Sequence, residues 1–163
     1  MITSIILAKA MNFMDRIHNT TSIENATAYR IHHTARLLRY SLNQFFQNYG
    51  VEISLEQWFI LFKLFERDGQ SQSELADKDL NDHPNITRLV DALQKRDMIR
   101  RDADPNDRRK SLVYLTEKAR TFMEDILPAI IEERKRIFTG ISNEEIEQFL
   151  QTLEKIEANA LNA

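Results

Sequence analysis

The fold of this chain is decided by residues 83–116, HPNITRLVDALQKRDMIRRDADPNDRRKSLVYLT. Early in this stretch, four apolar residues recur at i, i+3, i+4 and i+7, the spacing that places side chains on one face of an α-helix. They are Ile86, Leu89, Val90 and Leu93. Pro84 suits the first turn of such a helix, because the N–H that it lacks would have no acceptor there. The pattern predicts a helix with one buried and one exposed face.

The rest of the stretch has the pattern of a β-hairpin. Two short extended segments, residues 98–102 and 111–115, flank the sequence DPND, whose Pro, Asn and Asp are typical turn residues. Arg108, Arg109 and Lys110 follow the turn. The segment predicts a two-stranded hairpin with a basic, exposed tip.

Two further helices are predicted before residue 83. Residues 55–67 carry apolar residues at helical spacing, and Ser71 and Glu74 form a capping box, in which each side chain satisfies a backbone amide of the other residue. Two helices joined by a turn and followed by a hairpin form a winged helix-turn-helix. We assign this unit to residues 51–116.

The flanking sequences predict helical arms. A long apolar pattern in residues 23–50 predicts a helix, and Gly50 is expected to form its C-terminal cap. Residues 117–163 predict two more helices, the first of them kinked at Pro128. Because the apolar stripes of 23–50 and 117–163 lie outside the compact unit, we expect them to form a homodimer interface. Residues 1–22 are expected to be a helical N-terminal extension. The expected fold class is mainly α, with a small β-hairpin wing and N- and C-terminal helical dimerisation arms.

The composition limits the classes of protein to be considered. The chain has 163 residues, a net charge of −3 and no cysteine. Its length suits one domain with helical arms, and the lack of cysteine excludes disulfides and thiolate metal sites. No apolar run approaches the roughly 20 residues that cross a bilayer. We therefore expect a cytoplasmic protein with no membrane partner.

The charge is distributed unevenly. Residues 83–112 carry 8 Lys and Arg against 5 Asp and Glu, whereas residues 1–82 carry 8 against 10 and residues 113–163 carry 6 against 10. A local basic excess on the predicted helix and hairpin is what contact with phosphates requires. On charge alone, a solvated face of mixed charge is the alternative.

The exposed face of the predicted helix carries side chains suited to duplex DNA. Arg88 and Lys95 lie opposite the buried stripe, with Thr87 beside them. Arg88 can donate two parallel hydrogen bonds to O6 and N7 of a guanine. Asn85 and His83, in the first turn, can reach bases or phosphates near the positive end of the helix dipole.

An acidic residue on the same face needs a partner. Asp91 would repel phosphates, so we expect it to accept from a cytosine amine, to hold Arg88 three residues earlier, or to remain solvated.

The hairpin tip supplies the second predicted contact. Arg108, Arg109 and Lys110 are placed to enter a minor groove, where the negative potential attracts arginine. Asp107 could brace the guanidinium of Arg109. The alternatives are a solvated basic turn, or a cationic edge that discourages aggregation.

At these residues the sequence resembles the MarR family of bacterial transcription regulators. The likeness is carried by SELA (73–76), NITRLVDALQKRDMIRR (85–101) and DPNDRRKSLVYLTEKA (104–119). The last is the most specific, because Asp107 and Arg109 match the D-x-R wing of the family. One departure is Asp97, which stands where a glycine commonly ends the recognition helix. Since Asp tolerates the left-handed conformation at modest cost, we expect a slightly strained cap there.

The resemblance implies a sequence-specific DNA-binding regulator, a repressor, that acts as a homodimer. Its two recognition helices would enter major grooves of a pseudo-palindromic operator, about 34–36 Å apart. A small-molecule effector would release the double-stranded DNA. The residues expected to contact DNA are Ser73, His83, Asn85, Thr87, Arg88, Lys95, Asp107, Arg108, Arg109 and Lys110.

The sequence contains none of the catalytic motifs that we considered. It has no Gly-rich phosphate loop, no H-E-x-x-H motif and no cysteine nucleophile. His32 and His33 are adjacent on one predicted helix and point roughly 100° apart, so they do not suit one metal. We expect no catalytic residue, cofactor or metal site. Two alternatives to a regulated repressor remain: a winged-helix dimer that mediates protein contacts, and a DNA binder without an effector.

Overall fold

The computed structural model of the protein describes residue 23 and residues 26–76, 83–105, 107 and 109–162, with side chains of residues 83 and 84 excepted. The predicted extension, residues 1–22, lies outside this part. The chain divides into two compact units, Met1–Leu55 and Glu56–Ala163.

The described part of the first unit is built on one long helix. Helix α1 spans Thr27–Asn48. The chain leaves it at Gly50, which has a left-handed φ of +66° and donates its amide to the carbonyl of Gln47 at 3.0 Å. Glycine has no Cβ to oppose this conformation, and the predicted cap at Gly50 is confirmed.

Apart from the short strand β1, the other helices and strands follow in the order that the sequence predicts. They are helices α2 (Leu55–Glu66), α3 (Gln72–Leu75), α4 (His83–Lys95), α5 (Glu117–Ile137) and α6 (Asn143–Leu161), and strands β1 (Gln70–Ser71), β2 (Ile99–Ala103) and β3 (Ser111–Leu115). All except Leu55 belong to the second unit. The mainly α fold with a small wing is confirmed. Across the described ranges, no helix combines the length and the apolar character needed to cross a bilayer.

The sheet contains the predicted hairpin and one further strand. β2 and β3 pair antiparallel along their whole length, from Ile99 opposite Leu115 to Ala103 opposite Ser111. The predicted hairpin is confirmed, with its first strand one residue later than expected. β1 pairs antiparallel with the other edge of β3, so the strand order is β1-β3-β2. The sequence did not predict β1, because two residues are too few to show alternation.

The core of the second unit fixes which face of α4 meets solvent. The predicted stripe of α4 is buried, and Val90 and Leu93 are fully so. Leu61 and Leu64 of α2, Val113 of β3 and Met123 of α5 are equally buried. Full burial of one such side chain stabilises the fold by about 1.5–3 kcal/mol. This burial holds the polar face of α4 outward.

The two C-terminal helices begin at predicted caps. The hydroxyl of Thr116 accepts the third amide of α5 at 3.2 Å, and Ser142 opens a capping box at α6. α5 continues through Pro128, and the kink expected there stays a prediction. No residue of α6 is buried within the described chain, and Phe149 and Leu150 are about half exposed. α6 therefore presents an apolar face that the described part of the chain does not cover.

Candidate nucleic-acid interface

The solvent-facing side of α4 brings together four of the predicted site residues. Thr87, Arg88 and Lys95 are exposed and Asn85 is partly exposed. They lie on the side of α4 that faces away from the buried stripe, as the helical spacing predicts. His83 begins the same helix, but its side chain lies outside the described part. One surface thus offers hydroxyl, amide and cationic groups.

Arg88 is oriented by the residue one turn before it. Its Nη2 donates a hydrogen bond to Oδ1 of Asn85 at 2.9 Å. The guanidinium has five N–H donors, so this contact orients it while employing one of them. The expectation that Asp91 holds Arg88 is wrong, because Asn85 takes that place.

Asp91 instead pairs with the wing. Nη2 of Arg101, in β2, lies 2.6 Å from Oδ1 of Asp91, and Nη1 of Arg101 donates to Oε1 of Gln94 at 2.6 Å. The negative charge of Asp91 is therefore matched within the protein, which reduces its repulsion of a phosphate. Sequence reasoning missed Arg101. The signal was strand alternation, because Arg101 follows the buried Ile99 by two positions and so faces the same side.

A hydrogen bond joins α3 to the exposed face of α4. Oγ1 of Thr87 donates to Oε1 of Gln72 at 3.0 Å. Ser73, the first predicted site residue, is exposed on α3, with its Oγ 3.0 Å from that of Ser71. The two helices of the helix-turn-helix thus meet through polar side chains at the surface predicted to contact DNA.

The capping box predicted at α3 is confirmed. Oγ of Ser71 accepts from the amide of Glu74 at 3.3 Å, and Oε2 of Glu74 accepts from the amide of Ser71 at 2.8 Å. The backbone of Ser71 is the main cause that lowers the pKa of Glu74 to about 2, followed by the Ser71 hydroxyl and Arg67. Arg67 also donates to Oε1 of Glu74 at 2.9 Å. The carboxylate is the form that suits this helix start.

The C-terminal end of α4 is tied to the start of α5. Asp97 has a φ of +56°, so the strained left-handed cap expected there is confirmed. Oγ1 of Thr116 donates to the carbonyl of Asp97 at 2.8 Å, and Nζ of Lys118 donates to the carbonyl of Arg96 at 2.8 Å. These bonds satisfy carbonyls that a helix end leaves without intrahelical partners.

Asp107 organises the tip of the wing. Its Oδ1 accepts from the backbone amide and from Nε of Arg109, both at 3.1 Å, and its Oδ2 lies 3.9 Å from Nζ of Lys110. The hydrogen bonds from Arg109, the side chain first and then the backbone, hold the pKa of Asp107 below its usual value. The side chain of Arg109 is nonetheless 91% exposed. The brace that the sequence suggested is present. Arg108 lies outside the described residues.

The base of the wing is held by Asp68, which sequence reasoning also missed. Oδ1 of Asp68 accepts the amide of Leu115 at 2.9 Å, and its other oxygen pairs with Arg120 of α5. The partners are 47 and 52 residues away from Asp68. No local sequence pattern connects residues at that separation.

Comparison with known proteins agrees with this architecture. A model of the MarR family matches residues 53–111. The solved transcriptional regulator PA3341 is 30% identical, with 83% of this chain and 98% of that chain covered and a TM-score of 0.70. The chain belongs to the MarR family. A MarR-family regulator from Silicibacter pomeroyi is 26% identical, over 85% of this chain and 92% of that one, with a TM-score of 0.64. The protein in the S. aureus MepR–DNA complex has the same fold, at 24% identity over 82% and 97% of the two chains and a TM-score of 0.71.

The family resemblance seen in the sequence is confirmed. This protein is a transcriptional regulator of the MarR family and not an enzyme. In the winged helix-turn-helix of the family, α4 is the recognition helix and the β2–β3 hairpin is the wing.

Proposed function

We propose that this MarR-family regulator binds duplex DNA as a homodimer at a pseudo-palindromic operator. It represses transcription until a small-molecule effector releases it. The observation that carries the proposal is that Arg88 on the recognition helix and Arg109 on the wing are each held by an oxygen of a neighbouring side chain while remaining exposed. Arginines ordered before contact lose less conformational entropy on binding.

The recognition helix would enter the major groove. Arg88 has the planar fork that grips O6 and N7 of guanine. Thr87 and Asn85 stand beside it, with groups that can reach a phosphate or a base edge. Because Asp91 is neutralised by Arg101, the helix can approach the phosphates with less repulsion.

The wing would contact the adjacent minor groove. Arg109 projects from the tip, and Lys110 adds a second exposed cation. Arginine in a narrow minor groove gains from its negative potential and reads little sequence. Recognition would thus be divided between a helix that selects bases and a tip that contributes affinity. The MepR–DNA complex supports DNA as the ligand of this fold.

A homodimer is supported by uncovered apolar side chains on the predicted arms. Leu37 and Tyr40 of α1 and Phe149 and Leu150 of α6 are about half exposed or more. Surfaces of this kind mark sites of association. Two copies related by a two-fold axis would present two recognition helices to successive major grooves, about 34–36 Å apart.

The effector and the direction of regulation rest on family membership. An effector-independent binder would share the same interface with DNA. A compound that lowers DNA affinity by binding the protein is the expected sign of an effector. Because the proposed role is to regulate transcription by binding DNA, we also propose that the protein is cytoplasmic.

The test is fluorescence anisotropy with labelled duplex from upstream of the protein's own gene and random duplex as competitor. Each titration is run at two salt concentrations, because binding through phosphates weakens steeply as salt rises. We expect tight, salt-sensitive binding that resists the competitor. If a folded dimer shows no preference over random duplex here and selects no sequence from a random library, the operator proposal fails and a protein-interaction module is favoured.

A further inference from the structure

We infer that Arg101, on β2 of the wing, is a positioning residue for base recognition. Its guanidinium restrains the small rotations of the recognition helix that the buried stripe of α4 still permits, so that the side chains of α4 meet the bases in one register. The inference rests on the proposed DNA binding. It also removes Arg101 from the set of phosphate contacts that its place in the basic segment would suggest.

The guanidinium spans two side chains of α4. Nη2 lies 2.6 Å from Oδ1 of Asp91 and Nη1 lies 2.6 Å from Oε1 of Gln94. These two residues are neighbours on the helix surface because they are three positions apart. Arg88 stands one further turn back on the same side. A rotation of α4 about its axis would break both contacts to Arg101 and displace Arg88 from its place in the groove.

Stability alone does not explain an arginine at this position. Its Nε is buried, and no acceptor among the described residues reaches it. The side chain is 24% exposed, so a charge is largely withdrawn from water. An orphan donor costs free energy, and because the side chain of Asp91 is 50% exposed, the ion pair itself contributes little to stability. The planar guanidinium of arginine instead fixes the directions of its two hydrogen bonds to α4, which restrains the helix.

The variant that isolates this role is Asp91→Asn combined with Arg101→Met. It removes one negative and one positive charge, so the net charge of the interface is unchanged. Arg101→Lys is the second variant, because it keeps the positive charge but replaces the rigid planar fork by a compact ammonium on a flexible stem. If the double variant folds poorly, the lysine variant still tests the inference.

Two measurements are made on the full chain. Hydrogen exchange without DNA should show faster exchange across α4 in both variants, with Tm close to that of the wild type. Selection from a random-sequence duplex library then gives each protein's base preference. We expect the affinity ratio between the duplex that the wild type enriches and random duplex to fall about tenfold, within the range of one lost base contact. The dependence of affinity on salt should stay as in the wild type.

Each other result has a definite meaning. A wild-type affinity ratio in the double variant overturns the inference, and so does a wild-type ratio in Arg101→Lys, since charge pairing would then suffice. A salt slope reduced with the ratio intact would make Arg101 a phosphate contact and also overturn it. If the wild type enriches no sequence, the proposed function fails, and the exchange data alone decide whether Arg101 holds α4.

Discussion

Nη2 of Arg88 lies 2.9 Å from Oδ1 of Asn85, so two side chains predicted to reach DNA are joined by a hydrogen bond within the protein. They occupy successive turns of the exposed face of the recognition helix. The bond selects among the rotamers of a long side chain before DNA arrives, which lowers the entropy lost on binding.

Arg88→Ala should relax base preference at one position in each half-site. The loss of a bidentate contact to guanine removes about 1–3 kcal/mol of discrimination. Asn85→Ala leaves the guanidinium of Arg88 without its hydrogen-bond acceptor, so it should lose a smaller share of the discrimination at that base position, in addition to any contact that Asn85 itself makes with DNA. Binding to operators with single base substitutions measures both effects. Unchanged preference in Arg88→Ala would show that this arginine does not contact a base.

Arg109→Ala should weaken binding to all sequences alike. The side chain is held by Asp107 and is 91% exposed, so it is available to a phosphate or a minor groove. Loss of one such contact reduces the slope of log affinity against log salt by about one. Lys155→Ala, which removes an exposed cation from α6, is the matched control and should leave the slope unchanged. If Arg109→Ala and Lys155→Ala give the same slope of log affinity against log salt, Arg109 does not contact DNA.

The sequence predicted the features whose causes are local. The recognition helix follows from the spacing of Ile86 to Leu93, and its left-handed end follows from Asp97 at a position where glycine is common in the family. The capping box at Ser71 involves residues only three apart. In each case the deciding contacts lie within about one or two turns of chain.

The contacts that orient the interface could not be predicted in this way. Thr87 meets Gln72 across 15 residues of sequence, and Asp91 meets Arg101 across a helix end and a strand. Such pairs depend on how elements pack, which a single sequence does not encode by spacing. None of the three expectations for Asp91, a cytosine amine, Arg88 or solvent, included Arg101, because ten residues and a change of secondary structure separate the two.

Asp97→Gly should stabilise the protein. The residue has a φ of +56°, where a Cβ is disfavoured and glycine is not. The gain should be up to about 1 kcal/mol, because relief of strain is partly offset by the greater freedom of glycine in the unfolded chain. Urea denaturation measures it. Asp97→Ala is the control and should destabilise, since Ala keeps a Cβ without the polar side chain that eases this conformation. A loss of stability in the glycine variant would mean that the Asp97 side chain has a stabilising role of its own.

Glu74→Gln should change how stability depends on pH. The pKa of Glu74 is lowered from 4.5 to about 2 in the folded chain, first by the Ser71 backbone. A lowered pKa stabilises the fold above the unfolded value, and this contribution is lost as pH falls from about 4.5 towards about 2. The variant should therefore be less stable than the wild type at neutral pH, and the difference should shrink over that window.

Urea midpoints at a series of pH values follow this difference. Glu66→Gln is the control, an exposed carboxyl of α2 changed in the same way; its difference from the wild type should not follow the same course. A gap for Glu74→Gln that stays constant through the acid range would show that the capping box does not depend on the charge of Glu74.

Phe149→Asp should dissociate the proposed homodimer. Phe149 belongs to the apolar stripe of α6, a helix with no buried residue within the described chain, and it is 51% exposed. If a second copy covers this stripe, the substitution places two carboxylates in the interface, and the loss of one aromatic anchor alone can cost about 2 kcal/mol or more. Light scattering should show a monomer, while far-ultraviolet circular dichroism retains its helical signal. Gln148→Asp, one position away on the exposed polar side, should remain a dimer. If Phe149→Asp stays dimeric at wild-type concentrations, α6 is not the dimer interface, and half-site spacing must be set by another surface.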